Sequence, residues 1–145
     1  MISDIKKNPV KVLIDTNVLL SALGFGGIPR QILLLVIQRK IKAIISPILM
    51  AEIHEVVSKK FPLIADKLPI IEKKIKKLFT IVHPKRSLKV VRDIDDNRVL
   101  EAALEEKCKY VITGDSDLLE LKNYKDITIV TPREFLEKFE KKYNR

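Results

Sequence analysis

The fold is decided by the stretch Val10-Lys11-Val12-Leu13-Ile14-Asp15-Thr16-Asn17-Val18-Leu19-Leu20. Its apolar centre, from Val12 to Ile14, is continuous, which is typical of a strand that is buried on both faces of a parallel sheet. Asp15 then ends the strand. In open α/β sheets, ligands bind outside the carboxyl ends of the strands, so Asp15 is expected to lie in a ligand-binding or catalytic site. The alternative is that Asp15 or Asn17 only caps the helix that begins near Val18.

Strands and helices alternate along the rest of the chain. Predicted strands cover residues 11–15, 43–46, 81–82, 110–113 and 127–130. This alternation predicts an α/β fold in which helices cover both faces of a parallel, doubly wound sheet, a three-layer α/β/α architecture. The length of 145 residues favours a single domain over residues 1–145.

The cysteine content and the apolar runs favour a cytoplasmic protein. The chain has one cysteine, Cys108, so it has no internal disulfide, which fits a reducing compartment. No apolar run reaches the length of a membrane span, and the first residues do not resemble a signal peptide. We therefore expect a cytoplasmic protein that does not enter a membrane.

The net charge of +9 lies in one segment of the chain. Residues 59–92 contain eleven Lys and Arg but only two Asp and Glu, while the remainder is neutral. A basic segment of this kind favours contact with a polyanion such as nucleic acid. The candidate contacts are Lys73, Lys74, Lys76, Lys77, Lys85 and Arg86. The alternative is a lysine-rich helix face that only contacts solvent.

Carboxylates from two strands are expected at the same edge of the sheet. Asp115 and Asp117 follow the strand at residues 110–113, as Asp15 follows the first strand. Because the carboxyl ends of parallel strands share one edge, these side chains should lie close together.

Two helices are expected to add further acids. Glu52 has Ile48, Leu49 and Val56 as helical neighbours, which predicts that it faces the sheet. A buried carboxylate is rare unless it is paired or binds a metal, and an arginine salt bridge is the alternative.

The other helix begins in a run of three aspartates. Asp93 suits the N-cap, and Asp96 has the inward spacing to Val99 and Leu100. We select Asp96 as the inward acid and keep Asp95 as the alternative.

The candidate ligands are all oxygens, and no His or Cys stands at metal-ligand spacing. This selects a hard ion, Mg²⁺ or Mn²⁺, over zinc. Such an ion relieves the repulsion among the carboxylates and can activate a water for phosphodiester cleavage. An acidic metal pocket next to a basic segment is what a nuclease requires.

Four segments of the chain, together with its ending, resemble the PIN-domain family. They are Leu13-Ile14-Asp15-Thr16-Asn17-Val18-Leu19, Ser46-Pro47-Ile48-Leu49-Met50-Ala51-Glu52-Ile53, Asp93-Ile94-Asp95-Asp96-Asn97-Arg98-Val99-Leu100-Glu101-Ala102-Ala103 and Tyr110-Val111-Ile112-Thr113-Gly114-Asp115-Ser116-Asp117-Leu118-Leu119. The ending Thr131-Pro132-Arg133-Glu134-Phe135-Leu136 resembles a subgroup related to VapC-type ribonucleases, the toxins of toxin–antitoxin pairs. Each motif is weak alone, and the ordered set is specific.

The resemblance implies five parallel strands in the order 3-2-1-4-5 and Mg²⁺- or Mn²⁺-dependent cleavage of RNA. It also implies homodimers and, for the toxins, a small antitoxin protein that blocks the site. By position, Asp15, Glu52, Asp96 and Asp115 carry over as catalytic acids and metal ligands, Asp117 as an accessory ligand, and Asn17 and Thr113 as residues that orient carboxylates. The basic segment 59–92 falls where this family varies most, and we expect a helical insertion there.

The resulting hypothesis is a metal-dependent endoribonuclease that acts as the toxin of a toxin–antitoxin pair. One alternative is a PIN-type nuclease in RNA maturation or decay. Another is a non-catalytic RNA-binding module, which would keep the lysine-rich surface but gain no stability from Mn²⁺. A phosphoacceptor receiver domain is disfavoured because it needs a lysine after the last strand, where this chain has Thr131 and Pro132.

Overall fold

A single sheet of six strands organises the computed structural model, which describes residues 8–143. The strands are β1 Val10–Ile14, β2 Ile41–Ile45, β3 Thr80–Ile81, β4 Tyr110–Ile112, β5 Asn123–Tyr124 and β6 Ile127–Val130. Their order is β3-β2-β1-β4-β6-β5. All neighbours pair in parallel except β5 and β6, which are antiparallel. The predicted α/β fold with a mostly parallel sheet is confirmed, whereas the predicted domain ends at residues 1 and 145 lie outside the described residues.

The prediction of five strands, all parallel, is wrong. The strands that it named follow the expected order, but β5 adds an antiparallel edge strand beyond β6. This strand has only two residues. The hairpin turn between β5 and β6 is Lys125-Asp126, with Lys125 at a φ of 53°. Because the first turn position lacks the Gly or Asn that usually marks such a left-handed residue, the sequence carries little signal for it.

Helices cover both faces of the sheet. They are α1 Thr16–Gly24, α2 Gly27–Ile37, α3 Pro47–Lys60, α4 Leu68–Leu78, α5 Ile94–Glu105, α6 Ser116–Leu121 and α7 Pro132–Tyr143, with a 3₁₀ helix at Pro62–Lys67. Val12, Leu13 and Ile14 are all buried although successive strand residues point to opposite faces. Helix α5 packs on β1, β2 and β4, while α7 packs on α2, β4 and β6.

The starts of α3 and α7 have the side-chain caps that their sequences suggest. Ser46 Oγ accepts a hydrogen bond of 3.3 Å from the backbone N–H of Leu49, and Pro47 opens α3. At α7, the Thr131 hydroxyl and the Glu134 carboxylate each accept a hydrogen bond from the other residue's backbone N–H. This reciprocal capping box is the one that the sequence predicts.

The basic segment 59–92 is helical only in its first part. After α4 ends at Leu78, the chain adds β3 at the sheet edge and then runs without regular secondary structure to Asp93. The prediction of a helical insertion is therefore wrong for its second half. Pro84 disfavours a helix there. Leu88 and Val90 are half-buried on either side of the exposed Lys89, as in an extended chain. We call residues 82–92 the strap.

No single helix within residues 8–143 is long and apolar enough to cross a membrane. Helices α1 and α2 together reach the required length and composition, but they meet at a bend of 97°.

Candidate active site

The carboxyl ends of β1 and β4 bring two acids to the same place. The backbone N–H of Asp15 donates to the carbonyl of Ile112 over 2.9 Å, which joins the two strand ends. The buried Thr113 hydroxyl donates to Asp15 Oδ2 over 2.6 Å and accepts from the backbone N–H of Asp115 over 3.0 Å. One hydroxyl thus orients the first acid and fixes the backbone of the second.

The principal hydrogen bond of the Asp15 side chain is not a helix cap. Asp15 occupies the N-cap position of α1, but its side chain makes no capping hydrogen bond. Its carboxylate is directed to Thr113 instead. A buried carboxylate in this position needs another explanation than helix capping.

Helix α5 presents one of the three clustered aspartates to the sheet edge. Asp93 caps the helix, because its Oδ1 accepts from the backbone N–H of Asp95 over 2.8 Å. Asp95 is exposed, whereas Asp96 is only 8% exposed. Of the two candidates for the inward acid, the structure buries Asp96.

Three aspartates approach closely enough to share one ion. One carboxylate oxygen each from Asp96, Asp115 and Asp117 lies within 4.8 Å of the other two. Asp96 Oδ2 is buried and has no hydrogen-bond partner among residues 8–143. A buried charged oxygen without a partner is costly. The donor set of hard oxygens and this unpartnered atom both fit a divalent cation.

Burial and neighbouring acids raise the pKa of Asp96 and of Asp15. Burial, together with the neighbouring Asp115, Asp93 and Asp15, raises the pKa of Asp96 to about 7. Burial also raises the pKa of Asp15, against a smaller opposing effect of the Thr113 hydroxyl. A cation among these groups would reverse the balance and favour their charged forms.

Glu52 lies beside the core-facing stripe of α3, and the expectation that it faces the sheet is wrong. The core side of α3 consists of Leu49, Met50, Ile53 and Val57. Glu52 is half-buried and faces the acidic cleft, where the Thr16 hydroxyl donates a hydrogen bond to its Oε1. Burial is the main cause that raises the pKa of its carboxyl. The spacing rule failed because Ile48, which looked like core, is 53% exposed.

The residue that orients Glu52 is Thr16, which the sequence reasoning missed. The resemblance points to Asn17 for such a role, but the Asn17 side chain is exposed. Its backbone amide instead lies near Asp15 and acts against the rise in the pKa of that acid. Thr16 is buried directly beside Asp15. The available signal in the sequence was a hydroxyl residue next to the acid at the strand end.

Most of these groups line one cleft of about 540 Å³. The acids at its wall are Asp15, Glu52, Glu55, Asp93, Asp95, Asp96 and Asp115. Three cations, Lys59, Lys60 and Arg98, share the wall with them. Lys73, Lys74, Lys76, Lys77, Lys85 and Arg86, which the charge pattern suggested as nucleic-acid contacts, are exposed and do not line the cleft.

Comparison with known proteins agrees with this arrangement. The PIN domain family matches residues 11–117, the part of the chain that carries all the acids of the cleft. The chain is also 37% identical to the uncharacterized protein MJ1680 of Methanocaldococcus jannaschii. That alignment extends over 155 positions and covers 94% of this chain and 96% of the relative.

Proposed function

This chain belongs to the PIN domain family, and from that membership and the geometry of the cleft we propose that it is a Mg²⁺- or Mn²⁺-dependent endoribonuclease. PIN domains are generally metal-dependent nucleases, and an acidic cluster is present here. The observation that carries the proposal is the environment of Asp96. Its Oδ2 is buried and has no hydrogen-bond partner among residues 8–143, and one of its carboxylate oxygens lies within 4.8 Å of oxygens of Asp115 and Asp117. An ion is the missing partner that suits these groups.

The chain's own residues divide the work of cleavage. Asp96, Asp115 and Asp117 would hold the ion, with Asp15 and Glu52 as the further acids of the site, and Thr113 keeps Asp15 and Asp115 oriented. When bound, a divalent ion would activate a water and offset negative charge at the scissile phosphate. Lys59, Lys60 and Arg98 would hold neighbouring phosphates at the cleft wall.

The proposed reaction is hydrolysis without a covalent enzyme intermediate. A water attacks phosphorus in line, and the bond between phosphorus and the 3′ oxygen breaks. One proton of the water ends on the leaving 3′ oxygen, so the products carry 5′-phosphate and 3′-hydroxyl ends. The non-catalytic RNA-binding module is the rival that an activity assay excludes.

Cleavage of mixed RNA with Mg²⁺, with Mn²⁺ and with EDTA tests this proposal. The parent chain should cut only with metal, and Asp15→Asn should not cut. Asp66→Asn is the matched control, because Asp66 is an exposed acid of the 3₁₀ helix outside the cleft. Equal cutting by Asp15→Asn would contradict the site, and a parent chain that never cuts would contradict the activity.

We propose more specifically that this nuclease is the toxin of a toxin–antitoxin pair. This role is supported by the resemblance of Thr131-Pro132-Arg133-Glu134-Phe135-Leu136 to the toxin subgroup. A toxin should be inhibited by a small protein encoded beside it. If the products of both neighbouring genes leave cleavage unchanged at equimolar amounts, a nuclease of RNA maturation or decay replaces the toxin.

A further inference from the structure

The strap, residues 82–92, is a basic surface segment with a defined conformation. It carries Lys85, Arg86, Lys89 and Arg92, all exposed, and it contains no Asp or Glu. Leu88 and Val90 of the strap pack against the hydrophobic core. The strap therefore directs apolar side chains inward and cations outward although it is neither helix nor sheet.

Asn97 of α5 fixes the end of the strap that is nearer the cleft. Its Oδ1 accepts hydrogen bonds from the backbone N–H groups of Val90 and Val91 over 2.9 and 3.0 Å. Its Nδ2 donates to the carbonyl of Val91 over 2.9 Å. Asn97 is buried, and the three hydrogen bonds to the strap are partly buried. Side-chain bonds to the backbone replace the missing sheet partner of this segment.

Two glutamates continue this row along α5 at intervals of four residues. Glu101 Oε2 accepts from the backbone N–H of Leu88 over 2.8 Å and also pairs with Arg98 of the cleft. Glu105 Oε1 accepts from the backbone N–H of Lys85 over 2.9 Å. Residues four apart share one face of a helix, so Asn97, Glu101 and Glu105 form a ladder beneath the strap.

The strap runs from the side of the sheet where the strands begin to the side where they end. At its beginning, Arg86 lines a second cavity with Lys109 and Ile127, which stand at the amino ends of β4 and β6. At its end, Arg92 is followed by Asp93, which lines the acidic cleft at the carboxyl ends of the strands. The exposed cations thus lie along a path that leads to the cleft.

We propose that the strap is a preformed track for the backbone of single-stranded RNA leading into the acidic cleft, held in place by Asn97, Glu101 and Glu105 as positioning residues. The inference rests on the proposed function, because the track supplies a strand to the cleavage site. Cations that are already ordered lose less conformational entropy when a polyanion binds. The exposed lysines of α4 have the same charge and also stand on an ordered backbone, but they do not lie on the segment that runs along α5 to Asp93.

Salt-dependent binding of a fluorescent oligouridylate in EDTA distinguishes the two lysine-rich surfaces. Each phosphate contact with a single strand contributes about 0.7 to the slope of log affinity against log salt concentration. Lys89→Gln/Arg92→Gln should therefore reduce that slope by about 1.4. Lys76→Gln/Lys77→Gln on α4 removes the same charge from the same basic segment and should leave the slope near that of the parent.

The outcomes separate this inference from the proposed activity. If the strap variant keeps the parent's slope, or if the α4 variant loses as much, the track is contradicted even where the parent chain cuts RNA with metal. If the parent binds RNA with the expected slopes but never cuts it, the proposed nuclease activity is contradicted and the proposed track is still supported.

Substitution of Glu105 tests the positioning role, because the loss of its charge and the loss of its hydrogen bond should change RNA affinity in opposite directions. Glu105→Ala raises the net charge, which alone would tighten RNA binding. Loss of the tether to Lys85 should instead weaken binding roughly threefold. Glu105→Gln removes the same charge but keeps an oxygen acceptor for that N–H, so it should bind RNA at least as tightly as the parent. Tighter binding by Glu105→Ala would overturn the positioning role.

Hydrogen exchange of the free chain gives an independent check. The backbone N–H groups of Leu88, Val90 and Val91 should exchange slowly before any RNA is added, because each is bonded to α5. Exchange as fast as in an unstructured peptide would show that the track is not preformed.

Discussion

Asp96 is the residue whose effect on folding stability can be measured most directly. Its buried carboxylate stands among other acids and lacks a hydrogen-bond partner for one oxygen within residues 8–143. The charged form of this group destabilises the metal-free fold, and a cation would make the same charge favourable. The residue therefore links folding stability to pH and to metal.

Asp96→Asn should flatten the pH dependence of stability in EDTA. The folded state raises the pKa of Asp96 from 3.8 to about 7, so between these values only the folded state keeps the proton. The free energy of unfolding of the parent should therefore fall as pH rises through this range, with the same sign for Asp15 and Glu52. Urea denaturation at about pH 5 and about pH 7.5 measures both slopes. Equal slopes for parent and variant would contradict this account.

Thr113→Val should damage the site more than its small change in shape suggests. It leaves Asp15 Oδ2 and the backbone N–H of Asp115 without the hydroxyl that both contact. Loss of such buried partners costs about 1–3 kcal/mol of unfolding free energy, and cleavage should fall with it. Thr113→Ser keeps the hydroxyl and is the control for denaturation and cleavage assays. A Val variant as stable and active as the Ser variant would refute the orienting role.

The positions of the acids that directly follow strands could be predicted from the sequence. The side chains that form hydrogen bonds with the acids could not. Asp15 and Asp115 follow apolar runs, so their common edge is a consequence of parallel topology. The side of α3 on which Glu52 lies depended on whether Ile48 was core, and helical spacing alone could not decide it. Thr16 was missed because its contact with Glu52 joins residues 36 positions apart.

At the scale of elements, the position of Glu52 depends on how α3 begins. Ser46 ends the extended chain after β2 and caps α3 with its buried hydroxyl. The cap fixes the first turn of the helix, and Glu52 follows in the second turn. The hydrogen bond at the start of α3 thus helps to set the direction of the Glu52 side chain.

Ser46→Ala should lower the free energy of unfolding by about 1 kcal/mol, the usual value of a helix N-cap. Denaturant titration measures this loss. Ser87→Ala is the matched control, since Ser87 is exposed on the strap, and it should be neutral. If the two variants are equally stable, the Ser46 hydroxyl contributes nothing as a cap.

Regular elements were predictable where periodicity was strong, and irregular ones were not. The capping box at Thr131 and Glu134 and the four long parallel strands follow from local patterns. The strap takes its form from side chains of α5, a tertiary contact that no local propensity encodes. The edge strand β5 is too short to show a period.

At the scale of the whole molecule, charge and apolar surface are separated. The excess of positive charge lies in residues 59–92, and all the acids of the cleft lie outside that segment. The two meet on α3, where Lys59 and Lys60 share the cleft wall with Glu52 and Glu55. Helix α2 exposes Leu34 and Ile37, which are one helical turn apart. This apolar face is where we expect the homodimer that the resemblance implies.

Leu34→Glu should shift a dimer toward monomer, because it places a charge in the proposed apolar interface. Sedimentation velocity of the full chain measures the change. Leu63→Glu is the matched control, since Leu63 is 93% exposed outside this face and should leave the dimer intact. A parent chain that sediments as a monomer, or equal effects of the two variants, would contradict this interface.

The most direct test of the account is the gain in stability that Mn²⁺ gives to the parent, Asp96→Asn and Asp66→Asn chains. A ligand that binds only the folded state, at a hundredfold excess over its Kd, adds about 2.7 kcal/mol to the free energy of unfolding. We predict this gain for the parent and Asp66→Asn and its loss in Asp96→Asn. An equal gain in all three chains, or none in the parent, would contradict a metal centre built around Asp96.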